Sequence, residues 1–189
     1  MNQYALELSE LSKYYDDKPV IKNISLSLKS GEILGILGQN ASAKSTLIKI
    51  LGGLVQPNRG QISLFGEQVK IKSPSKATAL GIIALYENSP LPENLTVSQA
   101  LFLGTYRKIN PRSVASSIGL VSNKKMDLEA KRYLEEYNFD VDIRSKVDSL
   151  SPAQRQMLVL IRSVVLNAKI LLVDNCFSLL NASEIKEVH

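Results

Sequence analysis

The nine residues from Gly38 to Thr46, GQNASAKST, decide how this sequence is interpreted. A phosphate-binding loop between a strand and a helix follows the pattern Gly, four residues, Gly, Lys, then Ser or Thr. Lys44 and Ser45 fit that pattern, but Ala43 stands where the second glycine belongs, and Ala41 is another alanine in the loop. Taken alone, the stretch is a weak signal, and a capped helix with a surface lysine explains it better.

The residues on either side of the loop strengthen the signal. Ile33–Leu37, ILGIL, is apolar throughout, which predicts a strand buried on both faces of a parallel sheet. Beyond the loop, a helix is predicted because helical spacing separates Thr46, Leu47, Ile50, Leu51 and Leu54, and Gly52 with Gly53 marks the helix end. A strand, loop and helix in this order direct backbone N–H groups and a helix dipole towards phosphate.

The remaining apolar patterns predict a chain that mixes strands and helices. Strands are predicted at Tyr4–Leu8, at Ile24–Leu28, between Gly60 and Gly66, at Leu80–Tyr86 and at KILLVD, residues 169–174. Helical character begins near Val97 and extends to Ser149.

Two helices are predicted in more detail. Asn123 is the predicted cap of a helix over 124–138, which has on one side Met126, Ala130, Tyr133, Leu134 and Tyr137. Ser151 caps a second helix that starts with Pro152 and directs inward Met157, Leu160, Ile161, Val164 and Val165.

Composition restricts the class of protein. The chain has 189 residues, a formal charge of +5 and one cysteine, Cys176, which has no partner for an internal disulfide. The basic residues are scattered singly, so no nucleic-acid partner is expected. The N-terminus lacks a signal-peptide pattern, and no apolar run reaches the ~18 residues that span a bilayer. We therefore expect a cytoplasmic protein whose membrane role comes through a partner.

Further stretches follow in a fixed order: SKYY (12–15), KSGEILGILGQN (29–40), PNRGQISLFG (57–66), LTVSQALFLG (95–104), LSPAQRQM (150–157) and KILLVD (169–174). With them the whole chain resembles the ATP-binding subunit of ABC transporters, most closely the importer group for simple sugars and related nucleosides. The resemblance implies an α/β fold: a P-loop NTPase core with a mixed or parallel sheet, an antiparallel β-subdomain and a helical insert. It further implies one C-terminally incomplete domain, with core and β-subdomain at about 1–86 and 156–189 and the insert at about 90–155.

The resemblance also assigns roles to residues. Tyr15 would stack on adenine. The nucleotide phosphates would be bound by Gly38, Gln39, Asn40, Ala41, Ser42, Ala43, Lys44, Ser45 and Thr46, and Mg²⁺ by Ser45, Asp174 and Glu87. A signature formed by Ser151, Ala153 and Gln154 would face ATP bound to a second subunit. Without the resemblance, Tyr15 is a surface aromatic, Ser151 only a helix cap and Asp174 a turn residue at a strand end.

The implied cofactors are ATP and Mg²⁺. The implied partners are transmembrane permease subunits and a second ABC ATP-binding domain, as a homodimer or heterodimer. The implied location is cytoplasmic, peripheral on the inner face of the cell membrane.

Several departures from the family pattern fall on the chemistry. Alanine at a position that needs positive φ costs about 1–2 kcal/mol, so Ala41 and Ala43 are expected to weaken ATP binding if their positions demand such angles. Glu87 replaces a glutamine, and Ala153 brings a methyl group to the signature, where it is expected to crowd the phosphate. Asn175 stands at the general-base position, and an amide does not accept a proton from water.

Two functions are favoured by these features, and a third, an ABC-type protein that acts on DNA or ribosomes, is indicated only by the basic charge and ranks below them. The first is an importer subunit that binds ATP and hydrolyses it poorly. The second is a catalytically silent scaffold or truncated remnant of the same fold. Joint retention of Lys44, Ser45, Tyr15 and Asp174 favours the first, because a scaffold has no need of them.

Overall fold

The structure is a computed structural model that describes residues 3–38, 41–86, 91–105 and 123–175. The strands are β1 (Tyr4–Tyr15), β2 (Lys18–Lys29), β3 (Arg59–Leu64), β4 (Glu67–Val69), β5 (Ile82–Tyr86) and β6 (Ile170–Asp174). The helices are α1 (Ala41–Leu51), α2 (Pro74–Ala79), α3 (Val97–Leu101), α4 (Asn123–Glu136) and α5 (Pro152–Val165), with a 3₁₀ turn at Val147–Ser149. Contacts divide the chain into two compact units, residues 1–84 with 169–174, and 85–168 with 175–189.

The first unit contains a four-stranded antiparallel sheet in the order β2-β1-β3-β4. Its two long strands carry irregularities at Glu10 and Asn23, both with positive φ. Ser12, fully buried between them, donates its hydroxyl to the Asn23 side-chain oxygen at 3.0 Å and accepts the Asn23 N–H at 3.0 Å. These two hydrogen bonds give partners to the buried Ser12 hydroxyl and to the Asn23 N–H, where the strand pairing is irregular.

Helix α1 packs in the same core as the sheet and β6. Leu47, Ile50 and Leu51 of α1 share one buried cluster with Ile170 of β6, and Leu172 packs against it. Strand β6 forms a two-stranded sheet with β5.

A Schellman motif ends α1. Gly53, at φ +77°, donates to Ile50 O at 3.0 Å, and Leu54 donates to Lys49 O at 2.9 Å. The predicted glycine stop after α1 is therefore confirmed.

The second unit has a helical core in the part that the structure describes. Its core joins α3, α4, α5 and the segment before α5, through Val97, Ala100, Leu101, Phe102, Met126, Ala130, Leu134, Val147, Leu150, Leu158 and Ile161. Phe102 and Tyr133 meet edge to face, with ring centroids 6.2 Å apart. Arg162 of α5 donates to Leu103 O at 3.1 Å, and burial lowers the pKa of this guanidinium. In the residues described, no helix combines the length and apolarity needed to cross a membrane.

The prediction of a buried strand at Ile33–Leu37 was wrong. Residues 32–38 have no regular secondary structure, and Ile33 and Leu37 are 98% and 96% exposed. Within the described residues no strand pairs with this segment. A strand needs a neighbour to accept its hydrogen bonds, so an apolar run alone does not form one.

Two residues predicted at helical spacing lie beyond their helices. Leu54 follows the end of α1, and Tyr137 follows the last residue of α4; both side chains are exposed. The prediction that Val164 faces inward was wrong, because Val164 is exposed on the last turn of α5, whereas Leu158 and Ser163 are buried. Asn123, predicted as a cap, is the first residue of α4.

Candidate functional site

The phosphate-loop candidate ends in helix α1. Lys44 lies in the first turn of α1, and its ammonium donates to the carbonyl of Gly38, the first residue of the loop. The first turn carries no acidic residue. The first N–H groups of a helix have no acceptor within it, and the helix dipole makes this end positive. This end of the loop therefore combines a lysine with a helix terminus suited to an anion.

The two alanines are compatible with the backbone that they occupy. Ala41 and Ala43 both lie in α1, where φ is negative, so the expected cost of positive φ does not arise. Alanine has the highest helix propensity, and it favours a helix over glycine by about 1 kcal/mol. The alanines therefore extend the helix towards the loop instead of straining it.

The two hydroxyl residues after Lys44 differ in exposure. Ser45 is half-buried, whereas Thr46 is only 6% exposed. The Thr46 side chain is therefore covered in this structure, whereas Ser45 is partly exposed.

Asp174 is half-buried at the last position of β6, the strand that shares a core with α1. The donor types of Ser45 and Asp174, a hydroxyl and a carboxylate, suit Mg²⁺. Among the described residues there is no group of three or more His, Cys, Asp or Glu that could hold a metal. Mg²⁺ is commonly bound by one or two protein oxygens together with substrate phosphates, so a small protein donor set fits this ion when a nucleotide completes it.

Tyr15 is fixed through the strand that carries it. The neighbouring Tyr14 N–H donates to the Asn58 side-chain oxygen at 2.9 Å, and the Asn58 N–H donates to Ser12 O at 2.9 Å. Tyr15 itself pairs with Lys18 across the β1–β2 turn and is 44% exposed. The backbone is thus held on both sides while the ring stays accessible. The sequence predictions assign no role to Asn58, and the turn pattern around Pro57 was the only available signal.

Asn175 follows β6 directly and is exposed with φ +53°. Asparagine is several-fold enriched in this left-handed region, which most side chains avoid. Asparagine therefore suits the backbone at this position, which the family resemblance predicts for the general base.

The predicted signature residues lie at the start of α5 in the second unit. The Ser151 hydroxyl accepts the Gln154 N–H at 3.2 Å, and the Gln154 side-chain oxygen accepts the Ser151 N–H at 2.9 Å. This capping box confirms the predicted helix cap. Arg155 holds the preceding turn, donating to Asp148 O at 2.7 Å and to Leu150 O at 3.1 Å.

Ala153 is buried at the start of α5. It is 2% exposed and lines a cavity of about 650 Å³ between α5 and residues 137–140. The expectation that its methyl group crowds a phosphate held by a second subunit stays a prediction.

Some predicted site residues lie outside what the structure describes: Gln39, Asn40 and Glu87, and the side chain of Ala41. The described candidates therefore form two groups. The first unit carries Tyr15, Gly38, Lys44, Ser45, Thr46 and Asp174, with Ser42 and Ala43 in the first turn of α1. The second carries Ser151, Ala153, Gln154 and Asn175.

Comparison with known proteins decides the family. The sequence pattern described as ABC transporter matches residues 21–178, which is most of the chain. The chain belongs to the ABC transporter family. The resemblance of its sequence to this family is thereby confirmed, as is the α/β fold.

Curated relatives of this ABC transporter chain are named as sugar import proteins. The galactofuranose transporter ATP-binding protein YtfR of Escherichia coli K12 is 32% identical over 185 residues, which cover 98% of this chain and 35% of that protein. The xylose/arabinose import ATP-binding protein XylG of Sulfolobus acidocaldarius is 33% identical, with 97% of this chain and 70% of that protein covered. The chain spans about a third of the length of most of the relatives that it matches.

Solved structures support the same fold. A nucleotide-free ATP-binding cassette from an ABC transporter superposes with a TM-score of 0.79 at 22% identity, and covers 98% of this ABC transporter chain and 74% of its own. The ADP conformation of an ATP-binding cassette gives a TM-score of 0.80 with the same coverage.

Proposed function

We propose that this chain is the ATP-binding part of an ABC importer for a sugar or a related small solute, and that it binds Mg-ATP but hydrolyses it slowly. The observation that carries the proposal is Lys44 in the first turn of a helix that lacks acidic residues, with its ammonium already on the Gly38 carbonyl. A phosphate in the loop offers this ammonium a charged acceptor in place of a neutral carbonyl, and charge-assisted hydrogen bonds are the stronger ones.

Each described site residue has a part in this proposal. Tyr15 stacks on the base, Lys44 and the N–H groups of the first turn of α1 bind the phosphates, and Ser45 with Asp174 provides oxygens towards Mg²⁺. When bound, the metal neutralises phosphate charge. Glu87 is proposed to contribute a further oxygen near the metal, and Gln39 and Asn40 to complete the loop.

Slow hydrolysis follows from Asn175. A positioned general base contributes about 10²- to 10⁴-fold to a rate, and the Asn175 amide does not accept a proton near neutral pH. ATP binding does not need this base. Asn175 is therefore expected to slow ATP hydrolysis without weakening ATP binding.

The partners and the location are part of the proposal. Ser151, Ala153 and Gln154 would approach a nucleotide held by a second ABC ATP-binding domain, identical or different. Transmembrane permease subunits would carry the solute, and the chain would lie on the inner face of the cell membrane. The sugar class is supported by the names of the relatives, which include galactofuranose, ribose and xylose importers.

Titration calorimetry of Mg-ATP into the purified chain tests the proposal. Lys44→Ala should weaken binding roughly 10- to 100-fold, because a hydrogen bond to a charged group contributes about 1.5–3 kcal/mol. Lys49→Ala is the matched control, since Lys49 is an exposed lysine on the last turn of the same helix, and it should bind as the wild type does.

Folding of all three proteins is checked first by circular dichroism. No saturable heat from the wild type up to millimolar Mg-ATP would reject the nucleotide site and leave the silent scaffold. Equal affinity of the wild type and Lys44→Ala would reject the loop as the place of binding.

A further inference from the structure

The Tyr15 ring has a cation on one of its faces. Lys13 Nζ lies 5.0 Å from the ring centroid, within the roughly 6 Å over which an ammonium is attracted to an aromatic face. Residues two apart on a strand point to the same side of the sheet. Lys13 and Tyr15 are therefore neighbours because of their spacing on β1.

The contact with the ring is the main interaction that the structure gives to the Lys13 ammonium. The ion pairs found among the described residues involve other cations, namely Lys131, Arg132, Arg144 and Arg155. Arg132 provides a contrast, because it also lies 5.0 Å from a ring, that of Tyr133, but shares its charge with Glu129 at 3.1 Å. Lys13 makes no comparable ion pair within the described part of the chain.

The backbone that carries Lys13 and Tyr15 is held by hydrogen bonds, whereas the Tyr15 ring is not enclosed. Tyr14, between the two residues, is pinned by the Asn58 side chain, and Tyr15 pairs with Lys18. The Tyr15 side chain is 44% exposed, which leaves room for a flat group beside it. The Tyr15 ring therefore has a cation on one face and stays accessible to solvent, while its backbone is held in place.

We propose that Lys13 is a positioning residue for the nucleotide base. Its ammonium covers one face of Tyr15, limits the orientations of the ring and leaves the opposite face for the base to stack on. A cation on one face also draws ring electron density towards itself, which makes the opposite face a better partner for an electron-rich purine. The inference rests on the proposed function, because it concerns the base of the nucleotide that Lys44 would bind.

Comparison of two ligands distinguishes positioning of the base by Lys13 from simple attraction between the Lys13 charge and phosphate. Mg-ATP has a base and Mg-tripolyphosphate has none, whereas both present phosphates to the loop. Lys13→Met keeps a side chain of similar length and removes the charge. It should weaken Mg-ATP binding by up to about fivefold, the limit that the whole energy of an exposed cation–π contact sets, and leave Mg-tripolyphosphate binding unchanged.

Three further variants complete the test. Lys13→Arg keeps a cation over the ring and should bind both ligands as the wild type does. Lys18→Met removes the charge of the residue that pairs with Tyr15 across the strands, and should also leave both affinities unchanged. In a Tyr15→Leu background, Lys13→Met should have no further effect on Mg-ATP, because the ring on which it acts is gone.

The outcomes distinguish the two proposals. Equal weakening of both ligands by Lys13→Met, or similar losses with Lys18→Met, would show a general charge effect and overturn the positioning role. Mg-ATP binding that depends on Lys44 but is unchanged in Lys13→Met would overturn this inference alone. Failure of the wild type to bind either ligand would overturn the proposed function, and the inference with it.

Discussion

Replacing Asn175 by glutamate should raise the rate of ATP hydrolysis by about 10²- to 10⁴-fold, the contribution of a positioned general base. The side chain leaves the end of β6 directly after Asp174 and is exposed, so a longer carboxylate has space there. The change supplies a proton acceptor to a site whose other proposed groups bind nucleotide and metal. Phosphate release under single-turnover conditions, with excess protein over Mg-ATP, measures the rate.

The backbone at this position determines the control. Asn175 has φ +53°, where a residue other than glycine or asparagine costs about 1–2 kcal/mol. Asn175→Gln carries the same cost and the same side-chain length as glutamate but has no proton acceptor, so it should hydrolyse ATP as slowly as the wild type. If the Gln and Glu variants hydrolyse ATP at the same rate, the missing base does not limit hydrolysis in this chain.

The second large effect is expected at Gly53, where alanine should lower the free energy of unfolding by about 3 kcal/mol. Two costs add. The residue has φ +77°, which costs an L side chain about 1–2 kcal/mol, and a Cβ there would overlap the backbone oxygen of Ser73. Relieving such an overlap requires backbone shifts that typically cost about 1–3 kcal/mol. Urea unfolding followed by circular dichroism gives the midpoint and the slope from which the change is obtained.

Gly31→Ala is the control that separates the backbone cost of positive φ from the cost of the overlap with Ser73. Gly31 has the same φ of +77°, but no atom lies within 4 Å of a Cβ built there. Gly31→Ala should therefore cost only about 1–2 kcal/mol, the backbone part alone. Equal destabilisation by the two substitutions would mean that the contact with Ser73 is relieved without cost.

Local patterns predicted much of the fold because they encode local interactions. The glycine pair after α1, the Ser151 cap with Pro152 and the apolar runs of β5 and β6 depend on residues within a few positions of one another, and each formed as expected. The family was also accessible from sequence, since ordered motifs extend over nearly the whole chain.

Features that depend on distant partners were not predictable in this way. Ile33–Leu37 has the composition of a buried strand, yet burial requires neighbours that composition does not supply. The covering of the Ala153 methyl group likewise depends on packing within the second unit, which the signature motif does not encode.

The predictions of the site residues divide in the same way. Lys44 and Ser45 were predicted from their spacing. The negative φ of Ala41 and Ala43 depends on where α1 begins, and helix boundaries cannot be read from sequence to within a residue or two. Lys13 was missed as a partner of Tyr15 because a lysine on a strand ordinarily indicates only a solvated face. The alternation of strand side chains was the signal that could have revealed it.

The exposure of Ile33–Leu37 has a consequence for the behaviour of the chain at high concentration. Apolar, β-branched and leucine side chains lie open to solvent there, and within the described residues their amides donate to no other backbone group. Such a stretch is a template for intermolecular pairing, in which one molecule supplies the hydrogen bonds that another lacks. Association of purified chains through this stretch would grow with protein concentration and would be reduced by a lysine within it.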